Sequence, residues 1–128
     1  MDTICKGSVS PEPLFPCDDK VLRQIVTVTV DRELGSHHPE YPDLHYPVNY
    51  GYIRGIQAPD GEEQDAYLLG VYQPVKEFTG EVIAIIHRKD DVEEKWVVAP
   101  VGKRFSREEI WEKVRFQEQY FHSSIRMV

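Results

Sequence analysis

Two short acidic segments carry the residues best suited to chemistry in this sequence. The first, Asp60-Gly-Glu-Glu-Gln-Asp65, sets Asp60, Glu62 and Asp65 on one glycine-containing bend. Hard divalent cations take oxygen ligands, and a bend of this kind aims several carboxylates at one point. In a chain with 22 acidic residues, however, such a bend alone describes a solvated turn more often than a cation site. The second segment, Asp90-Asp-Val-Glu-Glu-Lys95, ends in a lysine that opens a strand-like run. Alone, it too describes a charged hairpin tip.

Tyrosines gather ahead of the first bend, in Tyr46-Pro-Val-Asn-Tyr50-Gly-Tyr52-Ile53. Such residues either fill a core with their hydroxyls satisfied or donate hydrogen bonds to phosphate oxygens. Followed by Asp-Gly-acid-x-x-Asp, this run resembles the signature region of the soluble inorganic pyrophosphatases, and the resemblance extends from about Ile25 to Tyr120. It implies a five-stranded, OB-like closed barrel and Mg²⁺-dependent hydrolysis of pyrophosphate to two phosphates. Mn²⁺ is the alternative metal, and a related phosphoanhydride the alternative substrate.

By the same resemblance Asp60, Asp65, Asp90 and Glu93 are metal ligands, with Asp91 a substitute for Asp90. Glu62 stands where the family has a metal-bridging aspartate that activates water, which makes it both a ligand and the catalytic candidate. Substrate contacts fall to Arg32, Tyr46, Tyr50, Lys95 and Tyr120, with Arg88 as a further cation. The family's lysine and glutamate after the first strand correspond to His38 and Glu40, or are missing here. The sequence also departs from the family at three places: Glu62 replaces an aspartate, the second acidic segment is short, and Phe121 follows Tyr120 where a lysine is expected. These departures keep a second function open, a non-catalytic or altered-substrate barrel that binds metal or phosphate.

The elements that must position these residues are short strands. Ile25-Val-Thr-Val-Thr-Val30 alternates β-branched apolar and polar residues, the pattern of a half-buried strand. Further runs at Tyr50 to Ile56, Ala66 to Tyr72, Val82 to His87 and Trp96 to Ala99 are separated by glycine, proline or charged turns. Prolines at 39, 42 and 47 exclude a ladder from Gly35 to Pro47. Ser106 opens a capping box with Glu109, and Ile110, Val114 and Phe121 supply the apolar face of one C-terminal helix. The predicted fold is mainly β: a five-stranded closed barrel over residues 21–128 with that helix alongside, preceded by a flexible tail over residues 1–20.

Composition narrows the partners. The 128 residues suit one domain, and 41% hydrophobic content fills one core. A net charge of -7 argues against nucleic acid and anionic membrane, including single strands stacked on Tyr46, Tyr50 and Tyr52. A bound divalent metal reverses that sign locally. Cys5 and Cys17 both precede the first strand and read as free thiols in a reducing compartment. Residues 1–20 lack a signal-peptide apolar stretch and no run approaches a membrane span, so the expected location is cytoplasmic. No His/Cys spacing matches a structural zinc site. Homo-oligomerisation stays open.

Overall fold

The computed structural model describes residues 21–89 and 93–127. Asp90, Asp91, both cysteines and the predicted tail lie outside them. In chain order the elements are β1 (Ile25–Arg32), β2 (Asn49–Gln57), β3 (Glu63–Leu68), β4 (Glu77–Arg88), β5 (Glu94–Ala99), α1 (Arg107–Glu118) and β6 (Ser123–Met127).

Strand order runs β1-β2-β3-β5-β4, and a further pairing of β1 with β4 closes these five into a barrel. The β3–β5 pairing is parallel, whereas the other four barrel pairings are antiparallel. Closure removes the open edges that a small sheet otherwise exposes. β4 is long enough to serve two neighbours along one edge, because Glu77–Glu81 pair with β1 and Ala84–Arg88 with β6.

Period-two alternation, shifted in β4 by an irregularity between Val82 and Ala84, sorts the side chains. Val28 and Val30 of β1, Ala66 and Leu68 of β3, Val82 and Ile85 of β4, and Trp96 and Val98 of β5 fill the barrel interior. The alternate residues Tyr67, Ile83, Ile86 and Val97 point outward and are covered by Ile110 and Val114 of α1. Ser106 forms the expected capping box with Glu109, which fixes the start of that helix. Close approach of strands demands glycine at two places: a Cβ at Gly51 would overlap the Thr29 carbonyl across the β1–β2 pairing, and one at Gly80 the Ala99 carbonyl across β4–β5.

Three sequence expectations are corrected. The third strand is Glu63–Leu68 rather than Ala66 to Tyr72, because after a last N–H bond from Leu69 to the Val98 carbonyl the chain turns at Gly70 with φ of 82°. Phe121 is not on the helical face, since α1 ends at Glu118. The sequence reading also missed β6, a half-exposed segment that is a strand only by virtue of its pairing with β4.

The segment between β1 and β2 makes no extended ladder and holds only an isolated bridge, His37 to His45. Its ends are pinned by Gly35 N–H donating to the Tyr46 carbonyl and Tyr46 N–H to that of Ser36, at 2.7 and 2.9 Å. Buried Asn49 braces this loop against another, accepting from Leu34 N–H at 2.9 Å and donating to the Gln73 carbonyl at 3.0 Å. The asparagine of the tyrosine-rich motif is therefore a structural clamp.

Candidate functional site

The outward face that α1 leaves partly uncovered is where polar groups converge. Asp65 shares the outward side of β3 with Tyr67, and Lys95 shares the outward side of β5 with Val97. The parallel register that sets Tyr67 beside Val97 brings the carboxylate and the ammonium together. Lys95 Nζ donates to Asp65 Oδ2 at 2.6 Å, Tyr50 OH at 2.9 Å and Glu93 Oε2 at 3.1 Å. Burial opposes the charge on Lys95, yet Tyr50 and Asp65 hold its ammonium above the ordinary lysine value. Burial also pushes the Tyr50 phenol up, with Lys95 acting against it.

A second cation stands beside the first. Arg88, at the end of β4, donates from Nη1 to Glu93 at 2.8 Å and makes two bonds to Glu118, at 3.0 and 2.8 Å. Glu118 is wholly buried, and its carboxylate also accepts from Tyr67 OH at 2.8 Å and Ser123 Oγ at 2.9 Å. Burial alone would raise this carboxyl. The bonds and charge of Arg88, with those from Tyr67 and Ser123, win and hold it below the usual glutamate value of 4.5. Gln117 extends the network by donating to Tyr67 OH at 2.7 Å and accepting from Tyr46 OH at 3.2 Å.

A group whose folded pKa is depressed contributes stability above its unfolded pKa and loses it as pH falls through the folded value. Wild-type stability is therefore expected to drop below about pH 4.5 as Glu118 protonates. The stability gap between wild type and Glu118→Gln should narrow across the same interval in urea titrations at stepped pH. A gap independent of pH down to acid unfolding would show that Glu118 does not drive the acid limb.

These groups open on a pocket of about 820 Å³ whose wall includes Tyr50, Arg88, Glu93, Lys95, Tyr120 and Phe121. The β1–β2 loop forms the opposite side, bringing His38 and Glu40 onto the same cavity. Where the resemblance expects a lysine, the Phe121 ring lies under the Arg88 guanidinium, 3.7 Å from its carbon.

Of the residues singled out in the sequence, Asp65, Glu93, Lys95 and Tyr50 meet directly, and Tyr120 borders the same pocket. Tyr46 is buried, bonded to Gln117, and its phenol is raised by burial against the opposing effect of Arg32. Arg32 is thus beside Tyr46, with its Nε buried and unpartnered. Asp31, which the sequence did not single out, is raised by burial and feels Asp65. Asp60 and Glu62 stay on the exposed β2–β3 turn, where Asp60 Oδ1 accepts from Glu62 N–H at 3.0 Å and caps its own bend.

Among the described residues, no three His, Cys, Asp or Glu side chains stand together in a group able to hold a metal ion. Asp65 and Glu93 are each held by cations of the chain itself. The described carboxylates in this arrangement therefore do not fit a resident metal. Asp90 lies outside the described residues.

No protein-family model matches the chain, and no curated protein matches it. Solved structures do. An inorganic pyrophosphatase from Ehrlichia chaffeensis superposes with a TM-score of 0.64 at 16% identity, covering 84% of this chain and 88% of the other. The chain shares that fold. One from Neisseria gonorrhoeae gives 0.61 at 20% identity over 80% and 82% of the two chains. One from Thermus thermophilus gives 0.56 at 15% over 80% and 82%.

Proposed function

We propose that the pocket beside β5 binds pyrophosphate or a closely related phosphoanhydride and hydrolyses it to phosphate. The observation that carries this reading is Lys95, a buried ammonium at the pocket wall shared by Asp65, Glu93 and Tyr50. A phosphoryl oxygen is the natural competitor for those bonds. Arg88 offers a planar guanidinium next to it, suited to phosphate geometry. Water adds to one phosphorus, the bridging P–O bond breaks, and Lys95 and Arg88 stabilise the charge that develops on the leaving oxygen.

Charge decides how the anion arrives. Lys95 and Arg88 face Asp65, Glu93 and Glu118, two cations against three carboxylates. A bare polyanion meets a net negative cluster. It is expected to enter with Mg²⁺ or Mn²⁺ as its own counter-ion, so that the metal is part of the substrate complex. Asp60, Glu62, Asp65, Asp90 and Glu93 remain the carboxylates that the family resemblance offers to such a cation.

The test is phosphate release from pyrophosphate by the full chain with Mg²⁺, with Mn²⁺ and with chelator. Release only with a divalent metal is expected. Glu62→Gln is expected to lower turnover by about 10² to 10⁴ if Glu62 takes the proton of the attacking water; an unchanged rate removes it from that role. A second reading, a binding barrel without turnover, is favoured by the internal neutralisation of Asp65 and Glu93. Binding of pyrophosphate without any release would select it.

A further inference from the structure

Resting on the reading of this pocket as a phosphoanhydride site, the geometry points to a nucleoside diphosphate, rather than bare pyrophosphate, as its ligand. Size is the first ground. Cavities of about 300 to 1,000 Å³ enclose drug-sized molecules, and at about 820 Å³ this one leaves most of its space unfilled around a bare diphosphate.

The walls supply what the remainder of such a ligand needs. Tyr41 and Tyr120 both line the cavity and are 63% and 71% exposed, large aromatic surfaces left open to water. Tyr41 is steadied by His38, whose ring centroid lies 5.0 Å away. A nucleobase presents a flat π-face to rings of this kind, whichever base it is. Phe121 also lines the cavity, with one face of its ring against the Arg88 guanidinium.

The polar groups of the rim discriminate further. Glu40 and Asp43 line the loop side of the cavity. Carboxylates only accept hydrogen bonds, and they repel phosphate oxygens. The two hydroxyls of a ribose are donors; fully ionised pyrophosphate has none. The cavity is therefore arranged with Lys95 and Arg88 for the phosphates, carboxylates for a sugar, and tyrosines for a base.

In the corresponding reaction the oxygen of water bonds the terminal phosphorus and the bond from that phosphorus to the bridging oxygen breaks. The bridging oxygen leaves on the nucleoside monophosphate, orthophosphate is the second product, and a proton passes to solvent. Nothing is oxidised or reduced.

The experiment compares ADP, UDP and pyrophosphate, each with Mg²⁺, by phosphate release and by calorimetric binding to the full chain. ADP or UDP is expected to exceed pyrophosphate in kcat/KM by about tenfold or more. Tyr120→Ala and Tyr41→Ala, both at exposed positions, are expected to weaken nucleotide binding about 5- to 150-fold, the equivalent of losing one base stack, while Tyr120→Phe retains it. Pyrophosphate should suffer less, so the preference for nucleotide falls. Nucleotide binding without cleavage would support the ligand and select the binding barrel. Cleavage of pyrophosphate with neither nucleotide bound overturns this inference and leaves the pyrophosphatase reading standing. Failure of all three ligands to bind overturns both. Equal losses for nucleotide and pyrophosphate in the tyrosine variants would show that these rings do not hold a base.

Discussion

Replacement of Arg88 by methionine is expected to destabilise the fold by about 3 to 5 kcal/mol, the usual consequence of removing one partner of a buried ion pair. Glu118 has no solvent exposure, so without Arg88 its carboxylate keeps only the bonds from Tyr67 and Ser123. The loss would take a large share of the 5 to 15 kcal/mol typical of a whole domain, and it corresponds to a fall in Tm of roughly 10 to 20 °C. The double variant Arg88→Met, Glu118→Leu should recover much of it, because an apolar pair leaves no stranded charge. Urea unfolding of both variants checks this. A loss below about 1 kcal/mol in Arg88→Met would mean that water reaches Glu118 and that the network does not join α1 to the barrel.

That network shows where the sequence could be read and where it could not. Ile25 to Val30 declared itself by alternation, and Ser106 by its capping box, since both signals lie within a few residues of one another. Lys95 and Asp65 were found through motif resemblance, and the β3–β5 register is what joins them. Glu118 was passed over because a charged residue on a helix normally faces solvent. A signal for it existed: Ile110, Val114 and Glu118 repeat every four residues, so the buried stripe of α1 runs through the glutamate. Arg88 was singled out as a further substrate cation, but its pairing with Glu118 has no signature in the apolar run of β4 that it closes.

Other features had no local signature. Ser123 to Met127 alternates weakly and is half exposed, and only the second half of β4 makes it a strand. The run Ala66 to Tyr72 looked continuous because Leu68, Leu69 and Val71 are all apolar. Leu69 is buried against the helix-covered face and its N–H still donates to the Val98 carbonyl of β5 at 2.8 Å, yet the strand ends at Leu68 because the chain turns at Gly70. The aromatic pocket depends on the β1–β2 loop folding back over β5, a long-range arrangement that spacing along the chain does not encode.

The ammonium at the centre of the site sets the last expectation. Lys95→Met should lower phosphate release by about 10² to 10³, the range seen when a preorganised electrostatic donor is removed. The same change leaves Asp65 and Glu93 without their shared counter-ion. Two carboxylates about 5 Å apart repel by about 3 kcal/mol at an effective dielectric near 20, and a divalent cation relieves that repulsion. Mg²⁺ is therefore expected to raise the Tm of Lys95→Met more than that of wild type, since metal bound only by the folded chain stabilises it by mass action. Asp65→Asn, combined with Lys95→Met, should abolish the extra rise. The two readouts move in opposite directions only if Lys95 is both the internal counter-ion and the phosphate contact. Retained phosphate release in Lys95→Met would remove it from substrate binding, whereas an unaltered Mg²⁺ response would show that Asp65 and Glu93 do not take a cation even when the ammonium is gone.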